Sequence, residues 1–419
     1  MKVLHFISYL SIRGLLSLCS LLPYKSIHAL GRILGYLTFP LLTRYRKRSL
    51  SNLAIASDLK LCNSEIKLLA KESLCNLFIT SLEYGKLSKE KKISNIAICV
   101  NPEEANEILK EGNGIIFFCA HQANWEILFL EGTLRMHGVA IGQPIENKFL
   151  YHWILRMRQK FGGVMIEPRQ AVKEGLRGLR KNWFLGIVGD QGMPEGGFCS
   201  SFLGRPAYTS PLSALLSHRS KAPIIVATTT REKDKYFIHY SSPIWPDNEK
   251  SMEEDIPRLM KETLHLLEES IKKNPGQWLW QHNKWKQQGP GKLNKKYRQD
   301  TIAIFLPLEV QECESLIELL KTIKELYPTE WISFFIPEGF ILPENLATES
   351  IYYKTTSELK KEDYRFKLIF NFTSDQSLNS HFLKLSAFQV LTLEKIKKES
   401  GSPFDSYSSQ LKKVVLHAG

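Results

Sequence analysis

The sequence lacks the cysteine pattern of a disulfide-bonded or zinc-binding protein. Its 419 residues contain seven cysteines, an odd number, and none of them forms a Cys-x-x-Cys pair. A Gly-x-Ser-x-Gly nucleophile motif, a glycine-rich phosphate loop and a run of metal-ligand residues are also missing. These absences argue against a disulfide scaffold, a serine hydrolase, a P-loop protein and a zinc protein, and they favour a reducing compartment.

Acidic residues are absent from the first 57 positions. That segment contains eight Lys and Arg residues, and the first acid is Asp58. The first 300 residues carry 43 basic and 27 acidic side chains, whereas residues 301–419 carry 13 and 16. A basic front half predicts an acidic partner such as anionic lipid headgroups. Nucleic acid is disfavoured, because aliphatic rather than aromatic residues separate the basic ones.

One long apolar segment, residues 5–22, is interrupted only by Arg13 near its centre. As a helix it would be about 27 Å long, just enough to span a bilayer. An arginine at that depth costs roughly 2.5–3.5 kcal/mol, so a spanning helix, an in-plane anchor and a buried core helix all remain open. A cleaved signal peptide is disfavoured, because only Lys2 precedes the segment and no small-x-small site follows it.

Short apolar segments alternate with helical patterns through most of the chain. Residues 115–120, 184–188 and 223–230 have the composition of buried strands, and the segments between them repeat apolar residues every three or four positions. This alternation predicts an α/β fold, with a mainly parallel sheet flanked by helices. The pattern resumes after residue 300 and predicts a smaller C-terminal α/β unit.

We therefore divide the chain into four segments. Membrane-associating helices are predicted at 1–45, the main domain at 46–290, a linker at 291–300 and the C-terminal unit at 301–419. Gly, Pro and charged residues indicate the linker. For the C-terminal unit a structural or protein-interaction role is the preferred interpretation, and a half-domain similar to nucleotide-sugar transferases is the weaker one.

The segment FFCAHQANWEI, residues 117–127, contains the residues best suited to catalysis. His121 lies where a buried strand gives way to a helix, and ligands of open α/β sheets bind at the carboxyl ends of strands. A bend capped by Asn124 would bring Glu126 back to the imidazole. A carboxylate on one ring nitrogen leaves the other free to take a proton from a hydroxyl group. The alternative is that His121 is an ordinary polar residue at a strand end.

Several motifs in a fixed order give the first 290 residues a specific resemblance to a known family. They are Asn52-Leu53-Ala54, the HQANWE segment that begins at His121, Arg158-Gln-Lys-Phe-Gly162, Asp190-Gln191, FLGRPA at 202–207 and Trp280-Gln281-His282. In this order they resemble the bacterial lipid A biosynthesis acyltransferases of the late (secondary) lauroyl or myristoyl type, which are relatives of the lysophospholipid acyltransferase fold. Two positions depart from the family pattern, namely Leu203 in place of a second Phe and Lys284 where Arg is frequent.

The resemblance implies transfer of a fatty acyl chain from acyl carrier protein to a hydroxyl group of an acylated glucosamine-disaccharide lipid A precursor. His121 would be the general base and Glu126 would fix its tautomer, with the substrate supplying the nucleophile. No protein nucleophile, metal or cofactor beyond the acyl donor is expected, and Cys119 is interpreted as a core residue.

Substrate contacts are expected from seven further side chains. Arg158 would stabilise the oxyanion or bind a phosphate. Asp190 and Gln191 would bind the sugar or orient Arg158, and Arg205 and Lys284 would meet lipid phosphates. Asn124 and His282 complete the predicted substrate-binding set, and Trp280 and Trp285 are candidates to line an acyl groove or to pack in the core.

The expected partners are acyl carrier protein, the lipid A precursor and the inner membrane, with the protein anchored by its N-terminus at the cytoplasmic face. Two alternatives remain. The acceptor would be another glycolipid of the phosphatidylinositol-mannoside type, or the protein would be a non-catalytic membrane scaffold.

Overall fold

Helices and strands alternate along the chain as its apolar pattern predicts. The computed structural model describes residues 2–287 and 293–416. In the first part the helices are α1 (Lys2–Cys19), α2 (Tyr24–Thr38), α3 (Thr43–Ile55), α4 (Asn63–Lys89), α5 (Glu103–Lys110), α6 (Glu126–Arg135), α7 (Lys148–Arg158), α8 (Ala171–Leu179), α9 (Leu212–Ser220) and α10 (Met252–Lys273). The strands are β1 (Ala97–Cys99), β2 (Ile115–Cys119), β3 (Gly138–Ile141), β4 (Val164–Ile166), β5 (Phe184–Val188), β6 (Phe198–Phe202), β7 (Arg205–Thr209), β8 (Ile224–Glu232) and β9 (Lys235–Tyr240).

Seven of these strands form one sheet in the order β1-β9-β8-β2-β5-β3-β4. Every neighbouring pair is parallel except β8 and β9, which are antiparallel. The central strand β2 is buried along its whole length, because helices cover both faces of the sheet. The predicted α/β class with a mainly parallel sheet is confirmed.

The pairing of β2 with β5 determines where the site forms. Cys119 at the end of β2 lies opposite Val188 at the end of β5, and the strands are parallel. Both carboxyl ends therefore reach the same edge of the sheet, and the residues that follow them in the chain come together there.

The FLGRPA motif forms the turn of a separate hairpin. Strands β6 and β7 pair antiparallel, and the two residues between them, Leu203 and Gly204, both have positive φ angles of 52° and 83°. Such a two-residue turn matches the twist of a hairpin. The Leu203 side chain is fully buried, so this departure from the family pattern is a core position.

Helix α1 lies on the outside of the protein with most of its apolar side chains exposed. Its 18 residues have a mean hydropathy of 1.2, and only 11% of them are buried, so it is long and apolar enough to anchor the protein in a membrane. It touches α4 where Gly85 leaves room, since any side chain there would collide with the carbonyl oxygen of Leu16. The Arg13 guanidinium lies 4.4 Å from the ring centre of Trp153 on α7. This exposure does not fit the alternative of a buried core helix.

The C-terminal unit is a second parallel sheet with helices on its faces. Its strands are β10 (Thr301–Phe305), β11 (Trp331–Pro337), β12 (Glu349–Tyr353), β13 (Leu368–Asn371) and β14 (Gln389–Leu391), in the order β12-β11-β10-β13-β14. Its helices are α11 (Val310–Ser315), α12 (Ile317–Leu326), α13 (Ser377–Leu385), α14 (Leu393–Ser400) and α15 (Tyr407–Val415).

The predicted linker is for the most part not a free linker. Residues 291–292 lie outside the described residues, but Leu293 and Tyr297 are buried in the core of the C-terminal unit. Asp300 is also buried there. Because the side chains at 293 and 297 are buried in the core of the C-terminal unit, residues 293–300 belong to that unit.

Buried polar contacts join the C-terminal unit to the first part of the chain. The Lys47 ammonium donates to the carbonyl oxygen of Ala387 at 2.7 Å. Lys367 donates to Asp300 at 2.8 Å and to the side-chain oxygen of Asn52 at 2.9 Å. Because these groups are all buried, the two parts are packed together and not merely tethered.

Candidate active site

His121 and Asp190 meet at the sheet edge formed by the ends of β2 and β5. His121 follows β2 by two residues and Asp190 follows β5 by two residues. The His121 Nδ1 lies 2.8 Å from Asp190 Oδ1, and the backbone N–H of His121 donates to Asp190 Oδ2 at 2.9 Å. One carboxylate therefore holds both the ring and the backbone of His121.

The Asp190 carboxylate is buried and ionised. Trp278 Nε1 donates to Asp190 Oδ2 at 2.8 Å, which adds a third hydrogen bond. Burial alone raises the pKa of this carboxyl, but the charge and hydrogen bonds of His121 and the charge of His282 lower the pKa by more, so that it lies well below its usual value. An ionised Asp190 accepts a hydrogen bond from the protonated Nδ1 of His121. The lone pair of the ring is then on Nε2.

Glu126 does not hold His121. Its carboxylate accepts from Arg158 Nε at 2.7 Å and Nη2 at 2.5 Å, and from the Tyr84 hydroxyl at 2.5 Å. The expected His121–Glu126 pair is replaced by His121–Asp190 because the helix starts at Glu126 and presents this side chain to α4 and α7. Burial raises the pKa of Glu126, but Arg158 and Tyr84 lower it by more. The hydrogen bonds of Arg158 to Glu126 use Nε and Nη2, and its guanidinium also interacts with Tyr84.

The loop between β2 and α6 is held in a strained conformation by α4. Ala123 has a φ of 48°, a region costly for residues other than glycine. Asn76 and Thr80 of α4 donate to its carbonyl oxygen at 3.0 and 2.9 Å, and its N–H donates to the carbonyl of Gln277 at 2.8 Å. These contacts offset the strain and orient His121.

Asn124 is a structural residue and not a substrate contact. It is fully buried, its amide donates to Glu83 at 2.7 Å, and its oxygen accepts the N–H of Glu126 at 3.2 Å, as expected for a residue that caps the bend. Glu83 also accepts from Tyr236 at 2.7 Å and pairs with His28 at 2.6 Å. Glu83 was not predicted, because it stands within the apolar pattern of α4.

His282 lies against the imidazole of His121. The two ring centres are 4.2 Å apart, and Gln191 Nε2 lies 3.3 Å from His282 Nδ1. Burial, followed by the charge of His121, lowers the pKa of His282 to about 4. A neutral His282 that accepts from Gln191 carries its proton on Nε2, and this buried atom has no partner within the described residues. His282 and Gln191 therefore remain candidates for substrate contact.

Asp190, Arg205 and Lys284 do not occupy the places that the sequence predicted. Asp190 is turned towards His121 and buried, so it positions the His121 ring and is not available to bind a sugar. Lys284 is buried against Thr209 Oγ1 at 2.6 Å and the Phe202 ring, and burial lowers its pKa to about 8. Arg205 is buried under the C-terminal unit, with its guanidinium 3.7 Å from the ring centre of Trp331. Neither cation reaches a lipid phosphate.

Aromatic and apolar side chains surround the site on two sides. Trp280 and Trp285 are buried and stacked on each other with ring centres 6.2 Å apart, so they pack in the core and line no groove. An apolar cavity on the other side is lined by residues of β2, β5 and α6, among them Cys119, Trp125, Gly132 and Gly186. The Trp125 ring centre is 4.7 Å from that of His121, so this cavity adjoins the imidazole.

Comparison with protein families identifies the class to which this arrangement belongs. A family model described as bacterial lipid A biosynthesis acyltransferase matches residues 2–287. A search of curated proteins found no match. The matched segment covers more than half of the chain and includes the whole site.

The chain belongs to the bacterial lipid A biosynthesis acyltransferase family. The resemblance inferred from the ordered motifs is thereby confirmed, and the protein is an acyltransferase of the lipid A type. Residues 293–416 form a further unit outside the matched segment.

Proposed function

We propose that this chain transfers a fatty acyl group from the thioester of acyl carrier protein to a hydroxyl group of an acylated glucosamine-disaccharide lipid A precursor. The observation that carries this proposal is the geometry of His121. Asp190 occupies its Nδ1 and leaves Nε2 as a base beside an apolar cavity.

His121 serves as the proton carrier in this reaction. Nε2 takes the proton of the acceptor hydroxyl while the oxygen attacks the thioester carbonyl. The tetrahedral intermediate collapses with loss of the carrier thiolate, which receives the proton from Nε2. Asp190 stabilises the imidazolium between the two steps. The thioester is already an activated acyl donor, so the reaction needs no further cofactor.

Arg158 is the candidate for stabilising the oxyanion. Glu126 fixes its guanidinium through two hydrogen bonds that do not use Nη1. A fixed donor in a site shielded from water stabilises a developing negative charge more than a mobile one does. Glu126 therefore acts as a positioning residue through Arg158.

Apolar parts of the structure contact the acyl chain and the membrane. The cavity beside Trp125 has a volume of only about 50 Å³ and must widen to accept a fatty acyl chain. Exposed apolar residues of α1 anchor the protein at the inner membrane. The acyl carrier is cytosolic, so the site faces the cytoplasm. The basic first 300 residues attract both the acidic carrier and the phosphorylated acceptor.

The test combines purified membranes, acyl carrier protein thioester and a tetra-acylated precursor. Wild-type protein is expected to add one acyl chain, detected by mass spectrometry, and His121→Asn is expected to lower the rate by about 10²–10⁴-fold. His239→Asn, at an exposed position on β9, is the matched control and should keep the wild-type rate.

Unchanged acylation by His121→Asn would refute the role of His121. Lipids from a deletion strain separate the acceptors, since loss of one chain from lipid A is expected here. Loss of a chain from another glycolipid would replace the proposed acceptor, and an unchanged lipid profile would favour a scaffold.

A further inference from the structure

A second, strongly basic cleft opens next to His282. Its volume is about 630 Å³, within the range of about 300–1,000 Å³ typical of ligand sites. Six cationic residues line it, namely Arg44, Arg48, Lys286, Lys295, Lys296 and Arg298, and none of the described lining residues is acidic. His282 and Gln191 form its inner end, so the cleft leads to the imidazole of His121.

Acidic side chains of the protein neutralise little of the positive charge in this cleft. Within the described residues Arg44, Lys286 and Lys295 form no ion pair. Lys296 reaches Glu399 only at 3.8 Å and Arg298 reaches Glu195 only at 4.0 Å, both at the surface. Exposed pairs of this kind contribute about 0–1 kcal/mol. The cleft therefore keeps a positive potential that an anion would neutralise.

Burial of Arg48 also favours the binding of an anion in this cleft. Burial and then the charge of Arg44 lower the pKa of Arg48, which indicates that its charge is poorly solvated. The unpartnered Nε2–H of His282 is a donor at the same end of the cleft.

The C-terminal unit builds one wall of this cleft. Lys295, Lys296 and Arg298, together with Phe388 and Gln389, all lie beyond the residues matched by the family model. This wall is fixed by the Lys47–Ala387 contact. It is also fixed by Lys367 through Asn52, whose amide donates to the carbonyl oxygen of His282 at 2.6 Å.

We propose that the C-terminal unit completes an acceptor site, in which this cleft binds the phosphate groups of the acceptor's saccharide headgroup. The proposal rests on the proposed function. The acceptor hydroxyl must reach His121, and a headgroup in the cleft holds it there. A carrier protein presents convex helices of about 10–12 Å diameter, which are too wide to enter a cleft of about 630 Å³.

The test uses the full-length protein with Lys295, Lys296 and Arg298 all changed to Gln. With saturating acyl carrier thioester, the KM for the bisphosphorylated precursor is expected to rise by at least 10-fold, whereas the KM for the carrier thioester stays within 2-fold. A precursor without phosphates is expected to give equal KM values for the variant and the wild type.

Two controls separate charge in the cleft from charge elsewhere. A triple change of the exposed Lys361, Lys397 and Lys398 to Gln removes the same charge and is expected to leave the KM unchanged. The change of Lys295 and Lys296 to Arg keeps the charge and is expected to retain the wild-type KM. An equal effect of both triple variants, or no effect of the first, would overturn the proposal. A rise only in the KM for the carrier thioester would assign the cleft to the carrier instead.

Binding measured without turnover distinguishes failure of this proposal from failure of the proposed function. Tryptophan fluorescence follows binding of the bisphosphorylated precursor in detergent micelles at fixed ionic strength. At least 10-fold weaker binding by the cleft variant supports the site, even if no acyl transfer occurs. Equal binding, with acyl transfer intact in the wild type, refutes the site alone.

Discussion

The Nδ1 atom of His121 lies 2.8 Å from Oδ1 of Asp190, although 69 residues separate the two in the chain. Their contact follows from the pairing of β2 with β5, since each residue comes two positions after its strand. The carboxylate that holds the base is thus determined by sheet order and not by spacing within one motif.

Asp190→Asn is expected to lower acyl transfer by about 10²–10⁴-fold, with little change in KM. Two donors, the N–H of His121 and Trp278 Nε1, require an oxygen at the Oδ2 position. The new amide nitrogen then faces Nδ1 and forces the proton onto Nε2, where it blocks the base. Steady-state kinetics check this, with the exposed Asp234→Asn as the control. Wild-type rates in Asp190→Asn would contradict the assignment.

Glu126→Gln is expected to lower kcat by about 10²–10³-fold, as for loss of one oxyanion contact. The change releases Arg158 but keeps the hydrogen bonds between His121 and Asp190. Arg158→Lys should behave similarly, since an ammonium cannot make the two parallel hydrogen bonds. An unchanged kcat in Glu126→Gln would show that Arg158 does not depend on this carboxylate.

Gly132→Leu is expected to shift acyl selectivity towards shorter chains. A Cβ at Gly132 would lie 3.4 Å from Phe184, an ordinary contact, so a larger side chain extends into the apolar cavity. Each displaced methylene costs about 0.8 kcal/mol, so the ratio of kcat/KM for long and short acyl thioesters should fall by about 10-fold or more. Gly132→Ala is the control. Equal losses for all chain lengths would place the acyl chain elsewhere.

Lys367→Met is expected to lower the free energy of unfolding by about 3–5 kcal/mol, because it leaves the buried Asp300 carboxylate without its partner. Lys367→Met combined with Asp300→Leu removes both charges and should recover most of the stability. Thermal unfolding of the two variants measures the difference. Equal midpoints for the single and double variants would show that this buried pair is not the cause.

Glu330 makes the stability of the protein depend on pH. Burial raises the pKa of Glu330 from 4.5 to about 7. The folded chain therefore holds this proton at pH values where the unfolded chain has released it, and the free energy of unfolding falls as pH rises from about 4.5 through 7, by up to ~3 kcal/mol.

Glu330→Gln is expected to abolish the fall in the free energy of unfolding that Glu330 causes as pH rises. The variant should match the wild type at pH 5 and unfold at a higher temperature at pH 8, as measured by thermal unfolding at the two pH values. The exposed Glu344→Gln is the control. A variant that is no more stable than the wild type at pH 8 would contradict the prediction.

The fold class and the position of His121 were predictable because they depend on local patterns. An apolar segment followed by a polar residue indicates a strand end, and helical periodicity indicates the flanking layers. The identity of the partner carboxylate was not predictable, because Glu126 is close in sequence and Asp190 is close only once β2 and β5 are paired.

Charged residues misled the sequence interpretation where the structure buries them. Lys284 was expected at a phosphate, but it packs against Thr209 and Phe202. Arg205 was also expected at a lipid phosphate, but the C-terminal unit covers this side chain. Burial of a cation depends on a partner that is distant in sequence, and the pattern around the cation contains no sign of that partner.

The contacts of Lys47 and Arg205 with the C-terminal unit make the surroundings of these two cations dependent on that unit. Shortening the gene to the segment common to its family would return both cations to water and leave the oxygen of Asn52 without its amine donor. Removal of the extra unit would therefore strip residues 47, 52 and 205 of contacts that the segment shared with the family does not supply.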